Sequence, residues 1–539
     1  MPRACPARGS APGGVAERRR RCGAKAFLRP IDGEQGVAEQ GRADELPRIA
    51  SGVAGLDAVL GGGFVGGGLY IVLGPPGAGK TILANQIAYT RVAAGDNALY
   101  VTLLAETYDR MLLNIRGMSF FRPEHIARTL HYISAFHVLE QDGLHGLLTL
   151  IRREISTRAP RVLIIDGLAT AANVAPSELA LRKFIHEMQT QASVSGCTMF
   201  LLTSADDTTL LPEHSMVDGM VELGDRTFDW RAERDIGVRK FRGGGCLRGR
   251  HAMRIDDDGI TVFPRLESMP LPPPRTGPAA RVSFGVAGLD GMMSNGIAEG
   301  STTLVLGPTG SGKTSLGLHF LGAATEEAPG LLVGFYESPG AVAARAEVFV
   351  PALAEGLRRG WVGMQWYPAA EDHLDRVAHA LLAEVRARGV RRLFLDGLPA
   401  LRGLTPYVER LPAFTRALSQ TLRAEGVTSL FSLEVPELVG SVVRAPATLL
   451  TPIADNLLLL RYVELGARLR RLISVLKLRD GWFDPNLRAF EIEAGRIRID
   501  GPFEGLEGLL TGFPHAAGPE DGAGADRPGP RAAPDRRGR

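Results

Sequence analysis

Short apolar runs recur along the chain and alternate with longer amphipathic segments. In the first half the runs are LYIVL, ALYVTLL, RVLII and TMFLLT, at residues 69–73, 98–104, 161–165 and 198–203. In the second half the corresponding runs are TTLVL, LLVGFY, RRLFL and TSLFSL. Runs of this length with few polar residues indicate strands that are buried on both faces. Because parallel strands need crossover helices, each half is predicted to be an α/β domain with a mostly parallel sheet flanked by helices.

The two halves are copies of one sequence plan. Residues 51–81 align without a gap with residues 284–314, and the stretches GVAGLD, VLGP and GKT recur in register. Self-similarity over so long a segment indicates a duplicated domain. The predicted domains span residues 47–267 and 281–514.

Three further segments are predicted to lie outside the domains. Residues 268–280, SMPLPPPRTGPAA, contain five prolines, which favour extended backbone and predict a semi-rigid linker. Residues 1–46 and 515–539 are rich in Gly, Pro, Ala and Arg, a composition typical of disordered tails. The Arg-rich start leaves an organellar transit peptide open, although its Pro and Gly disfavour the amphipathic helix of such a peptide.

Composition and charge exclude several classes of protein. The chain has 539 residues, 45% of them hydrophobic, which is enough to give each of two domains a core. Its 62 basic and 59 acidic residues leave a net charge of +3, which indicates neither nucleic acid nor membrane as the main partner. No apolar run approaches the roughly 18 residues of a membrane span. The four cysteines lack zinc-site spacing and the density of a disulfide scaffold, which fits a reducing compartment. Because the first 30 residues lack the apolar stretch of a secretory signal, we expect a cytoplasmic protein.

Each half contains the pattern GxxxxGK[ST] between a predicted strand and a predicted helix, the context that a phosphate-binding loop requires. In such a loop the backbone N–H groups surround the phosphates, and the lysine adds a positive charge at the β and γ oxygens. The pattern therefore predicts two ATP sites. The predicted binding residues are Gly74, Pro75, Pro76, Gly77, Ala78, Gly79, Lys80 and Thr81, and then Gly307, Pro308, Thr309, Gly310, Ser311, Gly312, Lys313 and Thr314.

A phosphate loop also needs an acid at the end of a buried strand, to orient Mg²⁺ and water. The stretches RVLIIDG and RRLFLDG supply this acid at equivalent places in the two halves. An aspartate at a strand end can instead be a simple turn residue, but its recurrence favours the magnesium role. The predicted magnesium-side residues are Thr81, Asp166, Thr314 and Asp396.

Several motifs taken together resemble the RecA-like ATPases of the KaiC type, known from the bacterial circadian clock. They are SGVAGLD, GPPGAGKT, LYVTLLAET and RVLIIDG in the first half, with VRKFRG, VLKLRDGWFDPNLRAFEI and PFEGLEGLLTGFP farther on. The resemblance covers about residues 48–514 and implies two tandem RecA-like P-loop NTPase domains. It also implies ATP and Mg²⁺ as cofactors, and a ring-shaped homo-oligomer, usually a hexamer, that signals through a protein partner the sequence does not identify.

In such a ring, ATP lies between neighbouring subunits, and a Lys-x-Arg pair reaches across to the neighbour's nucleotide. The resemblance assigns this role to Lys240 with Arg242 and to Lys477 with Arg479. Cations at the γ-phosphate would neutralise charge that develops as the phosphoryl group leaves. The alternative is a pair of solvated basic residues on an edge strand.

The chain departs from the family pattern at the catalytic acid. The family often has two adjacent glutamates after the second strand, whereas here Glu106 follows Ala105 and Glu337 follows Tyr336. Glu106 and Glu337 are the predicted catalytic acids that orient or activate the attacking water. With one acid in each copy, we expect slow hydrolysis.

A second departure concerns phosphorylation. Clock proteins of this family carry an adjacent Ser–Thr acceptor pair near the stretch that here is TPIADNLLLLRYVE. The matching positions are Thr451 and Pro452, and proline has no hydroxyl to phosphorylate. The sequence therefore leaves open a Ser/Thr autokinase that adds a single phosphate at Thr451.

Two rival functions remain. One is a nucleotide-gated scaffold with little turnover, which the missing glutamates favour. The other is a RecA- or RadA-like DNA-dependent ATPase, which needs a basic loop facing DNA. The segment at 205–215, ADDTTLLPEHS, is acidic to neutral, so nucleic-acid binding is disfavoured. We expect both loops to bind ATP alike, with hydrolysis in the first domain and slower turnover or single-site phosphorylation in the second.

Overall fold

The computed structural model describes most of both halves of the chain. The described residues are 47–105, 108–204, 216–273, 280–368, 372–435, 454–465, 468–493, 495–502, 506–507 and 515–516. Within these residues, no helix combines the length and the apolar character that a membrane crossing requires.

The first half folds around one large, mostly parallel sheet. Its described strands are β1 (Arg48–Ile49), β2 (Phe64–Val65), β3 (Leu69–Leu73), β4 (Ala98–Thr102), β5 (Leu130–Ser134), β6 (Val162–Asp166), β7 (Thr198–Thr203), β8 (Gly219–Phe228), β9 (Arg231–Phe241), β10 (Arg250–Asp256) and β11 (Gly259–Phe263). The described helices are α1 (Leu56–Val59), α2 (Lys80–Ala93), α3 (Tyr108–Ile115), α4 (Phe136–Arg158), α5 (Leu168–Val174) and α6 (Glu178–Ser195). The sheet order is β11-β10-β9-β8-β3-β7-β6-β4-β5. Neighbours from β8 to β5 are parallel, and β9 to β11 extend the sheet antiparallel.

The second half repeats this architecture. Its described strands are β12 (Arg281–Val282), β13 (Ile297–Ala298), β14 (Thr302–Gly307), β15 (Gly330–Gly334), β16 (Val362–Trp366), β17 (Arg392–Asp396), β18 (Thr428–Glu434), β19 (Asn456–Leu465), β20 (Arg468–Leu478), β21 (Arg488–Glu493), β22 (Arg496–Pro502), β23 (Leu506–Glu507) and β24 (His515–Ala516). The described helices are α7 (Ala287–Met292), α8 (Lys313–Gly322), α9 (Pro339–Phe349), α10 (Pro351–Arg359), α11 (Leu374–Arg388) and α12 (Leu411–Ala424). The sheet order is β16-β15-β17-β18-β14-β19-β20-β21-β22, with β20 to β22 antiparallel. Short 3₁₀ helices occupy Pro123–His125, Leu266–Ser268, Leu398–Leu404 and Val408–Arg410.

Each large sheet has a core on both faces, which explains the unbroken apolar runs. Successive residues of a strand point to opposite faces. Tyr100 of β4 packs in the cluster that contains Ile87 of α2, whereas its neighbour Val101 packs with Ile151 of α4 and Phe184 of α6. The second sheet is covered in the same way by two clusters. The predicted fold class, two tandem α/β domains of the RecA-like P-loop type, is confirmed.

The apolar runs locate most of the parallel strands, but not the antiparallel extension. The predicted strands at 69–73 and 198–203 match β3 and β7 residue for residue. By contrast, β9 has the sequence RAERDIGVRKF and is only partly buried. Charged and apolar residues do not alternate regularly along β9, so the sequence pattern alone does not indicate a strand there.

The two domains contact each other directly. Leu266, which follows the last strand of the first sheet, packs in an apolar cluster of the second domain. Its N–H donates to Oδ1 of Asp375 at the start of α11, 3.3 Å away. One turn later on α11, Nε2 of His379 lies 2.8 Å from the carbonyl oxygen of Pro264. The first domain is therefore attached to the second by its own last residues.

Candidate nucleotide sites

The two glycine-rich loops connect β3 to α2 and β14 to α8, the strand–loop–helix arrangement that the sequence predicts. Gly79 and Gly312 precede these helices with φ of 102° and 107°. A Cβ at Gly79 would lie 2.5 Å from Cδ1 of Ile255, and one at Gly312 would lie 2.6 Å from Cε1 of Phe490. Only glycine fits there. Since the first N–H groups of a helix have no intrahelical acceptor, each loop ends in an anion-binding helix terminus.

The loop lysines are held over their own loops. Nζ of Lys80 donates to the carbonyl oxygens of Gly74 and Pro75, at 2.7 and 2.9 Å. Nζ of Lys313 makes the two equivalent bonds in the second loop, at 2.8 Å each. Burial lowers the pKa of both lysines, and the nearby carboxylates oppose this shift only in part. A partly desolvated cation at this place favours an incoming anion.

A threonine hydroxyl and a partly buried carboxylate meet beside each loop. Asp166 ends β6 and Asp396 ends β17. Oγ1 of Thr81 lies 3.4 Å from Oδ2 of Asp166, and Oγ1 of Thr314 lies 2.8 Å from Oδ2 of Asp396. Burial raises the pKa of Asp166, against the lowering effects of its hydrogen-bond partners and Lys80. The structure thus brings together the residues expected at the magnesium side.

Two further residues bind these carboxylates, and the sequence did not single them out. The hydroxyl of Tyr100 donates to Oδ2 of Asp166 at 2.7 Å. Oγ of Ser432 donates to Oδ1 of Asp396 at 2.6 Å and accepts from the N–H of Gly397 at 2.7 Å. Both lie inside buried strands, where a sequence reading assigns them to the core. Comparing the two copies strand by strand would have revealed them, because neither residue recurs in the other copy.

The first loop borders a cavity of about 310 Å³. Beyond the loop, its wall is largely apolar, with Leu104, Met111 and Ile115 beside Tyr108. Asp166 closes the magnesium side. Glu106, the acid predicted for this site, lies outside the described residues.

The second loop borders a cavity of about 380 Å³ with more charged groups in its wall. Glu337 lines it, as the sequence predicts for a catalytic acid. Its Oε1 forms an ion pair with Nη1 of Arg345, 2.9 Å away. Its Oε2 is buried and has no hydrogen-bond partner among the described residues. Nε of Arg471 donates to the carbonyl oxygen of Gly310 in the loop at 3.2 Å. Thr309 of the loop is hydrogen-bonded to Glu434.

The Lys-x-Arg pairs lie away from the loops of their own domains. Lys477 pairs with Leu457 of β19, which pairs with Leu304 of β14, so Lys477 is two strands from the loop-bearing strand. The loop begins three residues beyond Leu304, about 10 Å along the strand. Nζ of Lys477 donates to the carbonyl oxygen of Ala454 at 2.6 Å. Ala454 lies just before β19, at the amino ends of the parallel strands, whereas the loop lies at their carboxyl ends.

The first domain shows the same separation. Lys240 pairs with Met220 of β8, which pairs with Ile71 of β3. The N–H of Arg242 donates to the carbonyl oxygen of Asp218, before the start of β8. The described lining of the first cavity includes neither Lys240 nor Arg242. The structure therefore places neither pair at the loop of its own domain.

The donor sets fit the phosphates of ATP and one magnesium ion. Oγ of Ser311, in the second loop, is buried and has no hydrogen-bond partner among the described residues. No group of three or more His, Cys, Asp or Glu residues suited to a metal occurs in the described part of the chain. Each loop does have one threonine hydroxyl beside one carboxylate, and Mg²⁺ is usually held by one or two protein groups together with substrate phosphates and water.

A family model described as the KaiC ATPase matches residues 49–267 and, a second time, residues 282–503. The chain belongs to the KaiC family. The match confirms the resemblance seen in the sequence, and each matched segment contains one of the two large sheets. The protein is therefore a KaiC-family ATPase with two KaiC domains.

Several proteins named KaiC are similar to the chain over most of its length. The circadian clock oscillator protein KaiC of Parathermosynechococcus lividus is 26% identical, over 87% of this chain and 88% of the relative. The protein of the same name from Acaryochloris marina is also 26% identical, over 87% and 92%. That of Synechococcus elongatus is 25% identical, over 87% and 92%. The similarity thus extends through both KaiC domains.

Proposed function

We propose that the protein binds MgATP at both loops and hydrolyses it slowly, as a KaiC-like signalling ATPase. One observation carries this proposal. Each half has its own cavity, lined by a glycine-rich loop, its lysine, the following threonine and a partly buried strand-end aspartate, although loop and aspartate lie far apart in the chain. The residues that hold the phosphates are those of the two loops, with Lys80 and Lys313 at the β and γ oxygens.

The lysines have a defined change of partner on binding. Each Nζ group now donates to two loop carbonyls. Phosphate oxygens are stronger acceptors for a charged donor than neutral carbonyls are. We therefore infer that Lys80 and Lys313 turn from the carbonyls to the nucleotide. The hydroxyls of Thr81 and Thr314 and the carboxylates of Asp166 and Asp396 would hold Mg²⁺, which when bound neutralises charge on the β and γ oxygens.

Glu337 is the proposed water-orienting acid of the second site. Its Oε2 is buried and unpartnered among the described residues, so it offers an acceptor for the hydrogen of an attacking water. Arg345 holds the other oxygen and so fixes the direction of the carboxylate. For the first site, Glu106 remains the proposal from the sequence.

The place of the Lys-x-Arg pairs supports an assembled ring. Both pairs lie near the amino ends of the parallel strands, whereas the loops lie at the carboxyl ends; the pairs are Lys240 with Arg242 and Lys477 with Arg479. In a ring of copies, the surface that carries each pair can face the loop of the next subunit. We therefore propose a homo-oligomeric ring, a hexamer by likeness to the family, in which each pair acts on the neighbour's nucleotide.

Single-site autophosphorylation in the second domain is the finer part of the proposal. Thr451, the proposed acceptor, lies outside the described residues. Its test is the mass of the intact protein after incubation with ATP and Mg²⁺. One added phosphate that disappears in Thr451→Ala supports the proposal, and an unchanged mass contradicts it.

A nucleotide-gated scaffold is the second candidate. The ion pair between Glu337 and Arg345 favours it, because one of the two carboxylate oxygens is already occupied by the guanidinium. Such a scaffold would signal to a protein partner through the shape of the ring.

A DNA-dependent ATPase, by contrast, would need a basic DNA-facing surface. Adding single-stranded DNA to the hydrolysis assay distinguishes this DNA-dependent ATPase from the other two candidates.

Hydrolysis rates separate the first two candidates. The full-length chain is compared with Lys80→Ala, Lys313→Ala and the double variant. Lys183→Ala is the matched control, because Lys183 is an exposed lysine of α6, which packs on the face of the first sheet opposite α2. Slow Mg²⁺-dependent hydrolysis that only the double variant abolishes supports two working sites. Tight binding without hydrolysis supports the scaffold.

A further inference from the structure

The two strand-end aspartates are held by their neighbours in different ways. Asp396 uses one oxygen for each partner: Oδ2 accepts from Thr314 at 2.8 Å, and Oδ1 accepts from Ser432 at 2.6 Å. Asp166 uses a single oxygen for both: Oδ2 accepts from Tyr100 at 2.7 Å, and Thr81 is left at 3.4 Å from the same atom. The phenol therefore occupies the oxygen that faces the loop threonine.

Strand register fixes this difference. Tyr100 pairs with Ile164 of β6, and the equivalent residue of the second domain is Leu332, which pairs with Phe394 of β17. The Tyr100 ring is fully buried and lies 5.4 Å, between centroids, from the ring of Tyr132. Its hydroxyl thus has little freedom to turn away from the carboxylate.

The partner of the second aspartate is replaced in the first domain. Ser432 lies beside Val305 in the second sheet, and Leu202 lies beside Val72 in the equivalent place of the first. Leu202 has no hydroxyl, so at this position the first domain lacks the donor that holds Oδ1 of Asp396 in the second. The two sites differ at both oxygens of the aspartate.

The two arrangements have opposite effects on a magnesium ligand. A donor on Oδ1, the oxygen that faces away from the loop threonine, orients the carboxylate and leaves Oδ2 bonded only to the threonine hydroxyl, which would itself turn to the metal. A donor on Oδ2, the oxygen that faces the loop threonine, takes one of its lone pairs and draws electron density from it. The hydrogen bond from Tyr100 must therefore weaken when Mg²⁺ binds. Without the Tyr100 donor the empty site would be less stable, because Oδ2 of Asp166 would lose its shortest hydrogen bond.

We propose that Tyr100 is a positioning residue that weakens Mg²⁺ at the first site, and that Ser432 is one that strengthens it at the second. The inference rests on the proposed function, because it assumes MgATP at both loops. As free Mg²⁺ rises, the second site of each chain fills with MgATP before the first.

The test is a Mg²⁺ titration of the full-length chain at a fixed concentration of N-methylanthraniloyl-ATP, read by fluorescence. Lys313→Ala isolates the first site. In that background, Tyr100→Phe is expected to lower the half-saturating Mg²⁺ concentration about tenfold. Removing a partner that orients a metal ligand changes affinity by about this factor in the opposite direction. The sign is reversed here because Tyr100 occupies the ligand oxygen itself. Tyr132→Phe is the matched control, since its hydroxyl donates to Asn85 and not to Asp166. It should leave the midpoint unchanged.

The converse experiment uses the second site. In a Lys80→Ala background, Ser432→Ala is expected to raise the half-saturating Mg²⁺ concentration about tenfold. Unchanged midpoints in Tyr100→Phe, or a shift to higher Mg²⁺, overturn the inference for the first site. If Tyr100→Phe does not fold, the test rests on Ser432→Ala in the Lys80→Ala background. An unchanged Mg²⁺ midpoint in that variant overturns the inference. If the unsubstituted chain binds no nucleotide at any Mg²⁺ concentration, the proposed function itself fails.

Discussion

Arg410 and Asp375 form a buried ion pair beside the junction of the two domains. Nη2 of Arg410 lies 3.0 Å from both carboxylate oxygens of Asp375, which is only 1% exposed. The same guanidinium binds Glu267, at the end of the first domain, through Nε at 2.8 Å. The charge of Arg410 thus connects a residue of each domain.

Removing the arginine should destabilise this junction. Arg410→Leu leaves Asp375 buried without its cation, and the loss of one partner of a buried ion pair costs about 3 to 5 kcal/mol. We expect a lower midpoint of thermal unfolding. Arg416→Leu, at an exposed position of α12, is the matched control and should unfold like the unsubstituted protein. Equal midpoints for the two variants would contradict the role of the pair.

The pH dependence of stability tests the same carboxyl. Burial raises the pKa of Asp375 from 3.8 to about 6, and Arg410 opposes this shift. Between these pH values the folded state binds more protons than the unfolded state, so this group lowers stability as pH rises from about 4 to about 6. Asp375→Asn removes the effect.

In urea unfolding at a series of pH values, the stability of Asp375→Asn relative to the unsubstituted chain should therefore rise over this window, by on the order of 1 to 3 kcal/mol. A difference that does not change with pH would show that Asp375 titrates at its ordinary pKa.

The Lys-x-Arg pairs predict complementation between inactive chains. Lys80→Ala lacks the loop lysine of the first site, and Arg242→Ala lacks the cation proposed to act on the neighbour. When the two are mixed and reassembled, some interfaces combine an intact loop with an intact Arg242. We expect first-site hydrolysis to recover there, measured in a Lys313→Ala background. The absence of recovery in a mixture with demonstrated subunit exchange would exclude action in trans.

Glu337 should affect turnover more than binding. Glu337→Gln keeps the shape of the side chain but removes the base, and we expect hydrolysis at the second site to fall by about 10²-fold or more. The measurement uses a Lys80→Ala background, with nucleotide affinity followed in parallel. Glu347→Gln, an exposed acid of α9, is the control. An unchanged rate in Glu337→Gln would favour the scaffold.

The sequence predicts the parts of the site that are continuous in the chain. The loops are predictable because the glycines, Lys80 and Lys313 lie within a few residues of one another, next to a strand and a helix. Asp166 and Asp396 are predictable because the carboxyl ends of parallel strands, including the strand that precedes the loop, lie together at one end of the sheet. Duplication strengthens both predictions, because each motif recurs in an equivalent context.

The parts that distinguish the two sites depend on contacts between distant segments. Tyr100 reaches Asp166 through the pairing of β4 with β6, and Arg345 reaches Glu337 through the packing of α9 at the cavity. No local pattern marks Tyr100 as polar in function, because a tyrosine in an apolar run is ordinarily a core residue. These residues appear only when strand register and helix packing are known.

Nucleotide stoichiometry tests the central claim most directly, namely that each chain has two ATP sites. The measurement is equilibrium binding of ATP to the full-length protein in excess Mg²⁺, by isothermal titration calorimetry. The account predicts two nucleotides per chain, one for Lys80→Ala, one for Lys313→Ala and none for the double variant, with Lys183→Ala retaining two. One nucleotide or none per unsubstituted chain, or two in either single loop variant, would contradict it.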